Sequence, residues 1–246
     1  MVKIIDISKH NGSIDFSKVK ADGISGVIIR AGYGRHISQK DPTFETYYSG
    51  AKATGLNIGA YWYSYADNPT DAKTEAAVFL EAIKGKKFEL PVYLDIEEEK
   101  HVAMGKTMCT AMVDAFCSVL EAAGYFAGIY SFDSFFGGNL NAEVQKKYSC
   151  WVARVENVKP VYCKSYGMHQ YTWKGVVKGI SGAVDISCCY SDFSAIIKKA
   201  GLNGYSKKAA TYSLVAKIGG CSEAKAETIA KACSQMGMTT ITTEEE

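Results

Sequence analysis

Several absences narrow the field before any motif is read. No run approaches the roughly 18 consecutive apolar residues that a membrane helix needs, so no membrane insertion is expected. Charge of one sign is also missing: 28 Lys and Arg stand against 26 Asp and Glu, for a formal net charge of +2. With no Lys/Arg block interleaved with aromatics, nucleic acid is set aside as the main partner. His10, His36, His101 and His169 form no H-E-x-x-H or other helical metal pair, and none of the 8 cysteines forms a C-x-x-C pair. No metal or cofactor is therefore expected, and the cysteines are read as small reduced hydrophobes in apolar runs. "GKT" at Gly105–Thr107 lacks the leading glycine of a phosphate loop, because Lys100 stands there, and is read as a helix start. "GYG" at Gly32–Gly34 lacks the third glycine of a dinucleotide fingerprint, and no G-x-S-x-G elbow occurs. The opening "MVKIIDISKHNG" has no basic n-region, long apolar core or small-residue cleavage site, so synthesis in the cytoplasm without a signal peptide is expected.

What is present is an ordinary globular composition, 47% hydrophobic and 22% charged over 246 residues with 4 Pro. Apolar runs of strand length recur: "VKIIDIS" (2–8), "GVIIRA" (26–31), "NIGAYWY" (57–63), "LPVYLDIE" (90–97), "FAGIYS" (126–131), "CWVAR" (150–154), "MHQYT" (168–172) and "AVDIS" (183–187). Amphipathic stretches with Pro near the start and Gly at the end, "DPTFETYYSGAKATG" and "NPTDAKTEAAVFLEAIKG", lie between the early runs as helices should. Continuous apolar strands alternating with helices indicate parallel strands covered on both faces, and about eight of them point to a closed β/α barrel. The later part is less regular, since "TWKGVVKGISGAVDIS" reads better as a hairpin turning at Gly179 and Gly182. The predicted fold is an α/β barrel whose second half is degenerate.

After the helix-like "SDFSAIIKKAG" the sequence predicts a barrel domain over 1–201, a polar linker over 202–210 and a small βαβ module over 211–246. At about 40 residues such a unit buries too little apolar surface to be robust alone. Oligomerisation through exposed strand edges is one expected role.

In a parallel barrel the active site lies at the C-terminal ends of the strands. Asp6 closes the first strand, Asp95 and Glu97 the fourth, and Asp185 the last. Strand alternation puts Asp95 and Glu97 on one face while Leu94, Ile96 and Glu98 take the other. Leu94 and Ile96 belong toward the helices, so Asp95 and Glu97 should enter the barrel mouth, and Glu98 should not. Tyr61, Trp62, Tyr63, Tyr130, Trp151, Tyr171 and Trp173 supply rings close to these acids in the strand pattern. An acidic cleft lined with aromatics suits sugar chemistry, in which a carboxyl pair acts as acid and as stabiliser or nucleophile.

On these stretches the chain from Met1 to about Gly201 resembles glycoside hydrolase family 25. They are "IIDISKHNGSIDFSKVK", "GVIIRAGYG", "IGAYWYSYA", "YLDIE", "YS", "CWVAR", "HQYT" and "VDIS", in that order. The resemblance implies an irregular barrel of eight strands and five helices and a lysozyme that cuts the β-1,4 bond after N-acetylmuramic acid in peptidoglycan. It makes Glu97 the general acid, with Asp95 handling the 2-acetamido group or acting on the opposite sugar face, and Asp6 and Asp185 completing an acidic floor. It further implies saccharide contacts from Tyr61, Tyr130, Trp151, Arg154 and Gln170. The chain departs from the family pattern at His169, where an aromatic precedes the Gln-Tyr pair, and at Ser187, where an asparagine-like residue is usual. A phage endolysin that acts on the wall after release fits the expected compartment, and by analogy with such two-part enzymes the small C-terminal module is expected to bind the cell wall. Two other classes stay open here: a peptidoglycan-binding module with little turnover, and a barrel hydrolase of chitin-like polymers.

Overall fold

Each of the eight apolar runs forms a strand, and together they close into a barrel in chain order: β1 (Val2–Ile7), β2 (Ile24–Tyr33), β3 (Asn57–Tyr63), β4 (Val92–Asp95), β5 (Ala127–Phe132), β6 (Ser149–Ala153), β7 (Met168–Gly175) and β8 (Val184–Cys189). The structure is a computed structural model and describes residues 1–155, 158–207, 220 and 222–235. Neighbours run parallel from β1 to β7, and β8 runs antiparallel to both β7 and β1. The stretch read as a hairpin is the β7–β8 connection. Gly179 and Gly182 take φ of 98° and 89° there, a region that disfavours side chains.

Helices α1 (Phe16–Ala21), α2 (Phe44–Thr54), α3 (Pro69–Ile83), α4 (Glu99–Ala122), α5 (Asp133–Asn139), α6 (Ala142–Lys147) and α7 (Phe193–Ala200) accompany the barrel. Local chemistry sets their ends. The Asn68 side chain accepts from the Thr70 and Asp71 amides ahead of α3, while α2 stops at Gly55 in the left-handed conformation. Where the family resemblance implies five helices, seven occur among the described residues of the barrel, three of them only six or seven residues long. α4 breaks at Gly105, with φ 75°, so "GKT" does begin a helical segment. Among the described residues, no helix is long and apolar enough to cross a membrane.

Strand alternation builds two cores. Outward residues such as Ile5, Ile7, Val27, Ile29, Trp62, Leu94 and Ile129 pack under the helices. Inward residues Ile4, Ile28, Tyr93, Trp151, Met168 and Cys189 fill the lower barrel. Gly128 leaves room inside for Tyr93, whose ring would lie 2.4 Å from a Cβ at that position. The described cysteines of this unit are free thiols, and Cys109, Cys117, Cys150, Cys163 and Cys189 are buried.

The predicted linker requires correction. Asn203 has no exposed surface and sits at φ 54°. It accepts from the Phe126 amide at 2.7 Å and donates to the Phe88 and Leu90 carbonyls at 3.3 and 2.9 Å. Its own backbone pairs with Phe88 and Gly124. A polar residue tying three segments together looks like linker in sequence, but it belongs to the barrel. The chain separates into compact units over 1–208 and 209–246. In the second unit the predicted helix forms as α8 (Glu223–Gln235), and the two predicted strands lie outside the described residues.

Candidate active site

The same alternation that packs the lower barrel delivers polar side chains to its upper end. One step beyond the inward Ile4, Ile28 and Tyr93 come Asp6, Arg30 and Asp95. Asp6 stands opposite Asp185 across the β1–β8 ladder, and a continuous row, Tyr63–Asp95–Tyr130–Trp151, crosses β3 to β6 in register. These residues, with Arg30, Tyr61 and Glu97, line a cleft of about 200 Å³.

Glu97 lies two residues past the end of β4, yet it keeps the inward phase because the chain is still held along β5. The Ile96 amide donates to the Tyr130 carbonyl at 3.1 Å, and Ser131 Oγ donates to the Ile96 carbonyl at 2.6 Å. Ile96 is therefore buried on the helix side. After Glu97 the chain turns into α4, and alternation stops applying. Glu98 comes round to the mouth, where it accepts from Tyr63 Oη at 2.6 Å, instead of pointing toward the helices as strand periodicity predicts.

Crowding carboxyls in a dry cleft raises their proton affinity. Glu97 is pushed up to about 7, first by burial and then by the Glu98 and Asp185 carboxylates. Asp95 is held well above the usual range by burial, then by Glu97 and Asp6, with Arg30 acting the other way. Asp95 Oδ1 is buried without a hydrogen-bond partner among the described residues. Burial and then Asp185 raise Asp6 strongly, against the opposing hydrogen bond from Gln170. Asp185 is raised by burial, against its hydrogen bond with Asp6, so the pair as a whole holds a proton more tightly than free carboxyls do.

The structure thus brings Asp6, Asp95, Glu97, Asp185, Tyr61, Tyr130 and Trp151 to one cleft. Gln170 stands one step behind it. Its amide donates to Asp6 Oδ2 at 2.9 Å while its carbonyl accepts from Tyr130 Oη and Trp173 Nε1, each at 2.8 Å. Arg154 is not among the residues that line the cleft: its guanidinium pairs with Asp133 at 2.7 Å, a buried carboxylate that also binds the Val161, Tyr162 and Cys163 amides. It anchors the β6–β7 loop. The departures at His169 and Ser187 are both accommodated. Ser187 Oγ accepts from Trp151 Nε1 at 3.0 Å, and His169 Nε2 lies 2.7 Å from the Arg154 carbonyl.

Arg30, Asp41 and Glu98 were missed as site residues. The alternation applied to β2 would have found Arg30, which follows Ile28 on the inner face. Its Nε donates to buried Asp41 at 2.8 Å. Among the described residues, no group of three or more His, Cys, Asp or Glu side chains has the arrangement of a metal site.

The family model for glycosyl hydrolases family 25 matches residues 5–180. The chain belongs to glycosyl hydrolases family 25. Within that family it is similar to an autolytic lysozyme of Clostridium acetobutylicum, at 35% identity over 187 residues, which is 75% of this chain and 55% of the relative. Among solved structures, the CTP1L endolysin superposes with a TM-score of 0.72 at 31% identity, covering 80% of this chain and 70% of that one. The modular autolysin LytC from Streptococcus pneumoniae, in complex with synthetic peptidoglycan ligand, gives a TM-score of 0.64 at 29% identity, covering 76% and 46%. The family 25 chain therefore spans only about half the length of the clostridial lysozyme it matches.

Proposed function

We propose that the chain is an endo-acting muramidase that hydrolyses the β-1,4 bond between N-acetylmuramic acid and N-acetylglucosamine in bacterial peptidoglycan. The observation that carries this reading is Glu97, a half-buried carboxyl pushed up to about 7 beside the buried Asp95. A general acid working near neutrality needs that proton affinity. Support for the substrate comes from the relatives, one named a lysozyme and one solved with a synthetic peptidoglycan ligand.

Glu97 gives its proton to the glycosidic oxygen as the bond to C1 breaks. Asp95, with a buried oxygen that has no donor among the described residues, accepts from the N–H of the 2-acetamido group and turns the acetamido carbonyl toward C1. That carbonyl oxygen closes on C1 from the opposite face, and water then opens the ring and returns a proton to Glu97. This substrate-assisted route departs from the usual two-carboxylate scheme and retains configuration. Tyr61, Tyr130 and Trp151 offer aromatic surface to the sugars. Mass spectrometry of digested peptidoglycan tests the bond, and muramic acid at the new reducing end is expected. Proton NMR tests the route: the β-anomer should appear first, and an initial α-anomer would overturn it.

For the second unit we propose wall binding, with self-association as the competing outcome. Deleting everything after Lys208 should weaken pull-down by intact walls without changing the mass in solution. Cytoplasmic synthesis and action on the wall after release, as for an endolysin, complete the reading.

A further inference from the structure

Beside the acidic cleft lies a second groove, of about 270 Å³, lined by Lys9, His10, Arg30, Tyr33, Tyr63 and Tyr65. It shares Arg30 and Tyr63 with the cleft, so the two adjoin across these side chains. Their charges are opposite in kind. The cleft is lined by four carboxylates and one arginine, whereas the groove is lined by two cations, a histidine and three tyrosines, with no carboxylate.

The groove is also built in advance. Buried Asp41 accepts from Arg30 Nε at 2.8 Å and from the Lys9 amide at 3.1 Å, and is fixed in turn by the Thr43 amide and hydroxyl. Ser8 and Asn11 cap the short turn that carries Lys9 and His10. One carboxylate thus sets both the arginine and the turn, while the Lys9 and His10 side chains stay exposed and enter no ion pair among the described residues. Tyr65 packs against Tyr33 and Tyr63, with centroids 5.9 and 5.2 Å away, and forms an aromatic wall.

We infer that this groove binds the peptide stem of the wall polymer through its free carboxylates, while the glycan runs through the acidic cleft. The inference rests on the muramidase reading. An N-acetylated glycan whose lactyl groups are amide-linked is neutral, and the anions of such a polymer are the carboxylates of its stems. A basic groove adjoining the acidic cleft therefore fits a substrate that is neutral along its backbone and anionic at its branches, and it orients the strand as well as holding it.

The test compares two soluble, uncross-linked strands, one with its stems and one whose stems are removed by an amidase and whose freed lactyl carboxylates are then capped as methylamides, so that it is neutral. The intact chain should show a kcat/KM about tenfold higher on the stem-bearing strand, with the preference carried by KM and weakened by salt. Lys9→Gln with His10→Gln should bring the ratio between the two strands close to one at unchanged Tm, and Lys9→Arg should keep it. Equal rates on both strands for the intact chain would overturn the inference, as would a double variant that keeps the full preference. A preference that follows added phosphate polymers in place of stems would overturn it too. Failure to release reducing ends from either strand would sink the muramidase reading with it, a result distinct from hydrolysis without preference.

Discussion

Two buried polar side chains at opposite ends of the barrel, Asn203 and Asp95, are treated in opposite ways. At the lower end Asn203 is fully buried and every side-chain polar atom has a partner, two carbonyls and one amide. At the upper end Asp95 is 4% exposed, flanked by other acids, and one of its oxygens has no partner among the described residues. A satisfied buried polar group holds a fold together, whereas an unsatisfied one is tolerated where it does something else. Tyr93 Oη in the lower barrel and His101 Nδ1 are also buried without a partner among the described residues, so what marks Asp95 is that its free oxygen faces the cleft among other acids.

The most severe way to break the comparison is to remove the upper end's proton. Glu97→Gln should lower kcat on peptidoglycan by about a thousandfold, within the usual range for a general acid, with wall binding retained. Loss of binding together with turnover would make Glu97 a structural residue. Asp95→Asn comes next, and its two effects should diverge. Activity should fall by about a hundredfold, while stability at pH 8 should rise by on the order of 1 kcal/mol. The sign follows from linkage: the folded state holds Asp95 above its unfolded affinity, so the ionised carboxyl is a penalty that grows as pH rises and vanishes below the unfolded value near 4. Thermal melts at pH 4 and pH 8 would check this, with a gain expected only at the higher pH.

The lower end should respond in the reverse sense. Asn203→Ala strands the Phe126 amide and two carbonyls and places alanine at a left-handed φ, for a destabilisation of about 2–4 kcal/mol by urea unfolding. The folded fraction should keep its kcat. If kcat fell while stability held, the division between the two ends would be wrong.

The fold was legible because it is written in local terms. Apolar runs, turn glycines and helix caps placed all eight strands, and alternation within β1 and β4 placed Asp6 and Asp95 correctly. What was hidden depends on partners distant in sequence. Arg154 belongs to Asp133, 21 residues away, and Asn203 belongs to Phe88, Leu90 and Phe126, as far as 115 residues away. No periodicity in either neighbourhood reports such a pairing.

Glu98 is the sharpest case, because a sound rule was carried one residue too far. Period-two alternation holds only while the chain is extended, and it turns into α4 just after Glu97, with Glu98 at φ −59° and ψ 144° as the residue before the helix. The side chain then reaches Tyr63, and its charge is the largest contribution after burial to the raised proton affinity of Glu97. Glu98→Gln should therefore leave the plateau kcat within about threefold, and it should move the alkaline limb of the pH–rate profile to lower pH, since a neutral neighbour lets Glu97 lose its proton sooner. An unmoved limb would mean that burial and Asp185 set Glu97, and that Glu98 tunes nothing.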